Sequence, residues 1–229
     1  MSVKLNIQPD ALISGLMIPP IAFRDKADLN EFYGEVSKSY EYDSISHLNP
    51  GARIVNQSTN SEINILPNRV QIIEHIKNGF PFQTTKEKVS DIIRKVFLKR
   101  FKNQIKPSVI IGYGMKMFAN IDLQQGDNAG NDFLKNIVNL GPDRLRLLGE
   151  TQKLATGLRF HFFRSNAQYD LRIEPLFQDL GHLFVDLDVQ FPGGPIDLIE
   201  QKFEDSIKET KDYFTNDVGE FLEYWGKKS

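Results

Sequence analysis

Two hydrophobic rhythms alternate along the chain, a two-residue alternation that marks half-buried strands and a three-to-four spacing that marks one face of a helix. Residues 11–24 open as an apolar run broken by Pro19 and Pro20. Proline cannot donate to a ladder, so this run is expected to be a strand at a sheet edge or one interrupted by a bulge. Leu29, Phe32, Val36 and Tyr40 keep helical spacing, which predicts a helix over 26–40 with Asp25 as its cap. The turn residues Asn49-Pro50-Gly51 and a second turn at 58–61 bracket Arg53–Gln57 and Ile63–Glu74, which together read as one antiparallel hairpin. Pro67 argues for an irregular or edge position in its second arm.

The strongest helical pattern follows over 84–103. Thr84 and Glu87 have capping-box spacing, and Val89, Ile92, Ile93, Val96, Phe97 and Phe101 trace one face, with Arg100 the single polar member. After Lys106-Pro107, residues 108–121 read as a strand, then a polar loop over 124–131 leads to a short helix ending near Leu140-Gly141-Pro142. Strict alternation over 158–162, 171–174 and 183–189 predicts three further strands, stopped by Pro192-Gly193-Gly194-Pro195. A last amphipathic helix carries Ile199, Phe203, Ile207 and Phe214, and Thr215-Asn216 is expected to break it. The fold class that follows is α+β, with two halves of similar topology, β-α-β-β-α over 1–106 and β-α-β-β-β-α over 107–229. Each half is an antiparallel sheet backed by helices. No flexible linker separates them, so they are expected to associate tightly.

Composition narrows the function classes. In 229 residues there are 28 Lys and Arg against 30 Asp and Glu, a net charge of −2, which argues against a surface that is basic throughout. The absence of Cys removes disulfides, thiolate metal sites and thiol nucleophiles. No apolar run approaches the roughly 20 residues of a membrane helix, and the N-terminus lacks the pattern of a secretory signal. A soluble, cytoplasmic protein is the expectation.

Two groups of residues carry candidate chemistry. On the non-core face of the C-terminal strands, a turn at 165–168 and a loop at 179–181 set Arg159 opposite Glu174 and His161 opposite Arg172. They also set Glu174 opposite Asp186 and Arg172 opposite Asp188. Three carboxylates beside a histidine are a metal or acid–base possibility. The plainer alternative is a solvent-facing lattice of cross-strand ion pairs. The second group lies over 86–106, where eight basic residues, Lys88, Lys95, Lys99, Arg100 and Lys102 among them, outnumber Glu87 and Asp91 for a net +6. Residues 197–223 carry a net −6. The basic segment is therefore expected to meet that acidic one, within the chain or between copies, or a protein partner, ahead of nucleic-acid phosphates. Gly112-Tyr113-Gly114 lacks the third glycine of a dinucleotide loop, and no phosphate loop, nucleophile elbow or zinc-binding helix occurs. No catalytic residue, metal ligand or cofactor is assigned.

Three short stretches stand out: the strand from Val109 to Ile121 with its Asn120, the run Val185-Asp186-Leu187-Asp188-Val189, and the close Phe214-Thr215-Asn216-Asp217 with Trp225-Gly226. They resemble a sporadically distributed TIGR-type bacterial family of uncharacterised proteins. Here Met117 and Phe118 stand where that family shows Arg and Tyr. The resemblance implies a scaffold or accessory component, rather than an enzyme, with a link to mobile-element or phage-defence biology. The expectation is thus a non-enzymatic protein that binds a protein partner or itself. The alternatives are ligand or metal binding, with hydrolysis conceivable, on the polar sheet face, and nucleic-acid binding by the basic helix.

Overall fold

Alternation fixes which side of each strand is apolar, and one continuous sheet collects those sides into a single layer. The computed structural model describes residues 7–21, 26–76, 81–123, 127–138 and 156–226. In chain order the elements are β1 (Ala11–Met17), α1 (Lys26–Tyr40), β2 (Ser44–Leu48), β3 (Gly51–Asn56), β4 (Ser61–Leu66), β5 (Arg69–His75), α2 (82–101), β6 (Val109–Asp122), α3 (Ala129–Val138), β7 (Leu158–Arg164), β8 (Ala167–Leu176), β9 (Asp179–Pro195) and α4 (196–226). The fold is α+β: nine antiparallel strands in the order β2-β3-β4-β5-β1-β6-β9-β8-β7, with the helices packed on one face. The sheet's centre is the β1–β6 pair, flanked by β5 and β9.

On the covered face one residue row crosses every strand: Ile45, Ile54, Ile63, Ile72, Ser14, Met115, Val189, Tyr169 and Phe162. Above it the helices add Phe32, Phe97 and Phe101 at one end and Phe203, Ile207 and Phe214 at the other, all in one buried cluster. Ser14 is the polar exception, 1% exposed with no hydrogen-bond partner for its Oγ. A buried hydroxyl without a partner keeps its full desolvation penalty. Ser14→Ala is therefore expected to raise stability by about 1 kcal/mol, read as a shift of the urea midpoint with an unchanged slope.

Several local features differ from the sequence-based expectations. β1 lies fifth of nine strands rather than at an edge, because it ends at Met17 and both prolines fall beyond its ladder. The 53–74 hairpin is a meander: β2 precedes it, and Pro67-Asn68 is the turn between β4 and β5, so the run holds four strands rather than the two anticipated. Gly51, entering β3 at φ +123°, leaves no room for a side chain, since a Cβ there would stand 2.2 Å from the carbonyl of Ile65. α2 begins at Pro81 with no side-chain cap, so Thr84 and Glu87 do not close a capping box. Thr84 donates its N–H to the Pro81 carbonyl, and Glu87 instead accepts from Gln83.

Both long helices pass through a π-helical stretch, Ile92–Leu98 in α2 and Tyr213–Asp217 in α4. The expected break at Thr215-Asn216 is thus absorbed as a wider turn, with Thr215 Oγ1 donating to the Lys211 carbonyl at 2.7 Å. β9 continues through Pro192-Gly193-Gly194-Pro195 instead of stopping there, pairing Gly194 with Ile110 and Pro195 with Val109. The expected cap at Asp25 and the helix end at Leu140-Gly141-Pro142 lie outside the described residues. Among the described residues no helix is long and apolar enough to cross a membrane.

Candidate functional site

Among the described residues no helix packs on the opposite face of the sheet, and the registers place its side chains in rows running across the strands. One row reads Ser46, Arg53, Asn64, Gln71, Gly15, Gly114, Gln190, Gln168 and Phe163. At its middle, two glycines face each other across β1 and β6, and each is flanked by a glutamine on the next strand outward. The two glycines form the floor of a trough of about 390 Å3 lined also by Ile13, Met17, Arg69, Lys116 and Asp188; the Gln190 amide, which donates to Asp188, lies over Gly114. Gly15 tolerates no side chain, since a Cβ there would stand 2.6 Å from the Val70 carbonyl oxygen, whereas a Cβ on Gly114 would meet the Gln190 amide. The glycines that fail as a dinucleotide loop are thus explained by close approach within a sheet.

A neighbouring row reads Ile73, Ile13, Lys116, Asp188, Asp170 and His161, and the next reads Ala11, Phe118, Asp186, Arg172 and Arg159. All six polar residues singled out from the sequence lie on this face, because the strand alternation was correctly phased. Their partners differ from expectation by two residues along each ladder. Arg159 is opposite Arg172 instead of Glu174, and His161 is opposite Asp170 instead of Arg172. Arg172 is opposite Asp186, and Glu174 opposite Phe184. The causes are tighter turns than the sequence suggested. Ser165 and Asn166, at φ 49° and 67°, form a two-residue hairpin turn of the mirror-image type. The β8–β9 turn falls at 177–178, followed by a register shift at Pro175/Leu176.

This register pairs the charges. Arg159 grips Asp170 with two bonds, Nε to Oδ1 at 2.9 Å and Nη2 to Oδ2 at 2.5 Å. Asp186 Oδ2 accepts from Lys116 at 2.9 Å and from Arg172 at 3.0 Å. Arg172 also lies 3.7 Å from Glu174 and over the Phe184 ring. The Arg159 bonds hold the Asp170 carboxyl below the usual range. Burial, with Asp186 and Asp170 nearby, pushes the Asp188 carboxyl up against the opposing pull of Gln190 and Lys116. Among the described residues no hydrogen bond joins His161 to a carboxylate, and no three of His, Asp and Glu are placed to hold a metal ion. Asp170 and Lys116, which complete this lattice, were not singled out by sequence reasoning. Lys116 lies in the alternating end of β6, and Asp170 lies just past a turn over 165–168.

A raised carboxyl pKa in the fold means that ionising Asp188 opposes folding. That cost is absent below the ordinary carboxylate range and complete above the folded pKa. Asp188→Asn is therefore expected to be at least as stable as the wild type at neutral pH. Its advantage should vanish as pH falls toward about 3, measured by urea unfolding across that range.

The basic helix is largely neutralised from within. Lys88 binds Glu74 at 2.8 Å, Lys95 binds Asp91 at 2.8 Å, and Lys102 lies 3.4 Å from Asp197. Arg100 pairs with Glu31 and Glu35 of α1, which accounts for a guanidinium on the apolar side of α2. Lys86 and Arg94 reach Glu204 of the acidic α4 at 2.8 and 3.6 Å. Of the five basic positions singled out, Lys99 alone has no ion-pair partner among the described residues, and it is exposed.

A polar network missed in the sequence lies where β5 meets α2. Glu74, 4% exposed on the covered face, accepts from Tyr42 at 2.6 Å, from Ser61 at 2.8 Å and from Lys88. Burial and the adjacent carboxylate push the Tyr42 hydroxyl far above its ordinary pKa. The network borders a cleft of about 500 Å3 lined by Tyr40, Asn56, His75, Thr84 and Lys88. The one signal in the sequence was a charged residue at an inward position of a strand.

No family model matches the chain, and no curated protein matches it. Among solved structures it is similar to the TBP of Methanococcus jannaschii at 13% identity, covering 87% of this chain and 95% of that one, with a TM-score of 0.31. A. aeolicus tRNASec in complex with M. kandleri SerRS matches at 10% identity over 93% of this chain and 32% of that one, with a TM-score of 0.29. The S. pombe Pct1 RNA triphosphatase matches at 10% identity over 93% and 82%, with a TM-score of 0.14. Likenesses this distant carry nothing about what the chain does.

Proposed function

We propose that the protein is a soluble, non-enzymatic interaction component that binds a protein partner on the open face of its sheet. The observation that carries this is the central trough, with a glycine floor, amide side chains on both sides, that of Gln190 lying over Gly114, and apolar Ile13 and Met17 at its border. Amides offer both donors and acceptors without net charge, which suits the backbone and neutral side chains of a protein surface. Charge on the face supports the same choice. Arg53, Arg69, Lys116, Arg159 and Arg172 are matched by Glu62, Asp170, Glu174, Asp186 and Asp188. A face with matched charges, whose Arg53, Lys116, Arg159 and Arg172 are already in ion pairs, offers little to a polyanion, whose binding depends on unpaired cations releasing counterions. The basic helix offers little more, its charges being mostly committed to α1, α4 and β5. A scaffold or accessory role linked to mobile-element or phage-defence biology, as the sequence resemblance implies, fits a protein of this kind.

The test is affinity capture with three forms of the full chain: wild type, Gln71→Lys/Gln190→Lys in the trough, and Lys95→Glu/Lys99→Glu on α2. A protein held by the wild type and the α2 form but lost by the trough form supports the proposal. Loss with the α2 form alone moves the interface to the helix. Retention of labelled duplex DNA or RNA at low salt, abolished by moderate salt, would favour nucleic acid instead.

A further inference from the structure

The sheet has two outer strands, and they are finished differently. β2 is five residues long, polar at Ser44, Ser46 and His47, and tied to α1 through His47 and Asn30 at 3.1 Å. β7 is seven residues long and reads Leu-Arg-Phe-His-Phe-Phe-Arg. Only β8 pairs with it among the described residues, so its outer row of N–H and C=O groups is unmatched by any strand. Phe163 is 76% exposed and Phe160 36% exposed, and Tyr224 on the last turn of α4 is 54% exposed. A long edge with exposed aromatics is a template for strand addition unless something blunts it.

We infer that β7 pairs antiparallel with β7 of a second copy of this chain, making one continuous sheet of two protomers. Only residues of like parity can face each other if the covered and open faces are to continue across the join. Among such registers, the one centred on His161 pairs all seven residues of the strand. It sets Phe160 opposite the second copy's Phe162 on the covered face, extending the aromatic layer that already joins Phe160 to Phe221 at 5.6 Å and Phe162 to Tyr213 at 6.1 Å. On the open face it sets Arg159 opposite Phe163, a cation over an exposed ring. Leu158 meets Arg164, so no like charges are directly opposed along the ladder except the His161 pair on the two-fold axis. Arg164 is paired with Asp217 of its own chain at 2.9 Å and lies over the Tyr213 ring, so it brings no unpaired charge to Leu158 of the second copy. The sequence is thus complementary to itself in this one register.

Single cysteines test the register cleanly, because the chain has none of its own. On the axis, His161→Cys faces its own copy with Cα atoms about 4.5–5.5 Å apart, within disulfide range. Phe163→Cys stands four residues from its copy, about 14 Å, and is out of range. Mild oxidation of the full chain is expected to give a disulfide dimer with His161→Cys and none with Phe163→Cys. Sedimentation of the reduced wild type should show a dimer. Phe163→Glu, an exposed change that leaves each protomer folded by circular dichroism, should raise its dissociation constant about tenfold or more. A wild type that sediments as a monomer at about 100 μM overturns the inference. So does cross-linking of Phe163→Cys as fast as His161→Cys, or a dimer in which neither cysteine links.

Discussion

Replacing Glu74 with Ala is expected to destabilise the fold by about 3–5 kcal/mol, because it strands one half of a buried ion pair. Glu74 is 4% exposed, and its two oxygens take donations from Tyr42, Ser61 and Lys88. Without the carboxylate, two hydroxyls and an ammonium lose their acceptor in a place with little water. The Lys88 side chain is 19% exposed and cannot turn fully to solvent. Urea unfolding should show the midpoint falling with the slope unchanged. Removing both charges by Glu74→Leu with Lys88→Met should cost clearly less than the single change, because burying an unpaired ion costs more than burying none. A single variant that loses less than about 1 kcal/mol would mean that water satisfies the network from the neighbouring cleft.

Phe97→Ala is expected to cost a similar amount, about 3–5 kcal/mol, by a different route. Phe97 is fully buried and lies 6.4 Å from Phe32 of α1 and 5.1 Å from Phe101 of α2, ring centre to ring centre. These three rings join α1 to α2 above the first five strands. Truncation removes both the transfer energy of the ring and its contacts with a cluster that cannot collapse around the void. Phe97→Leu should recover more than half of the loss, which separates cavity formation from disruption of the π-helical stretch that contains residue 97. Thermal or urea unfolding of the two variants side by side measures the difference.

Face and layer were readable from residue pattern, whereas register was not. Side chains alternate with a period of two, so each strand's inward set could be phased from its own apolar residues. For that reason Arg159, His161, Arg172, Glu174, Asp186 and Asp188 all fall on the open face as expected. Opposition across strands depends on turn length and bulges: the two-residue turn at 165–166, and the turn at 177–178 together with the register shift at Pro175/Leu176, move the pairs by two positions without changing their face. The result reverses the apparent chemistry. Glu174 does not face Asp186, which pairs with Arg172 instead, and the carboxylates that stand directly opposite each other are Asp170 and Asp188.

Position within the sheet was equally hidden. Pro19 and Pro20 pointed to an edge strand, yet β1 is central because its ladder ends before them. What could have marked the centre was the small-residue signal at Gly15, Gly112 and Gly114, where strands or side chains approach too closely for a Cβ. The basic helix shows the complementary limit. Its charge was evident from composition, but its neutralisation by Glu31, Glu35, Glu74 and Glu204 required elements distant in sequence to be brought beside it.

The affinity of a captured protein partner for the trough is the quantity on which the proposed function turns. Calorimetric titration of that partner into Gln71→Lys/Gln190→Lys should give a dissociation constant at least about tenfold above that of the wild type. Lys95→Glu/Lys99→Glu should stay within about twofold. Equal affinities for the trough variant and the wild type, with both chains folded, would contradict an interface on the open face of the sheet.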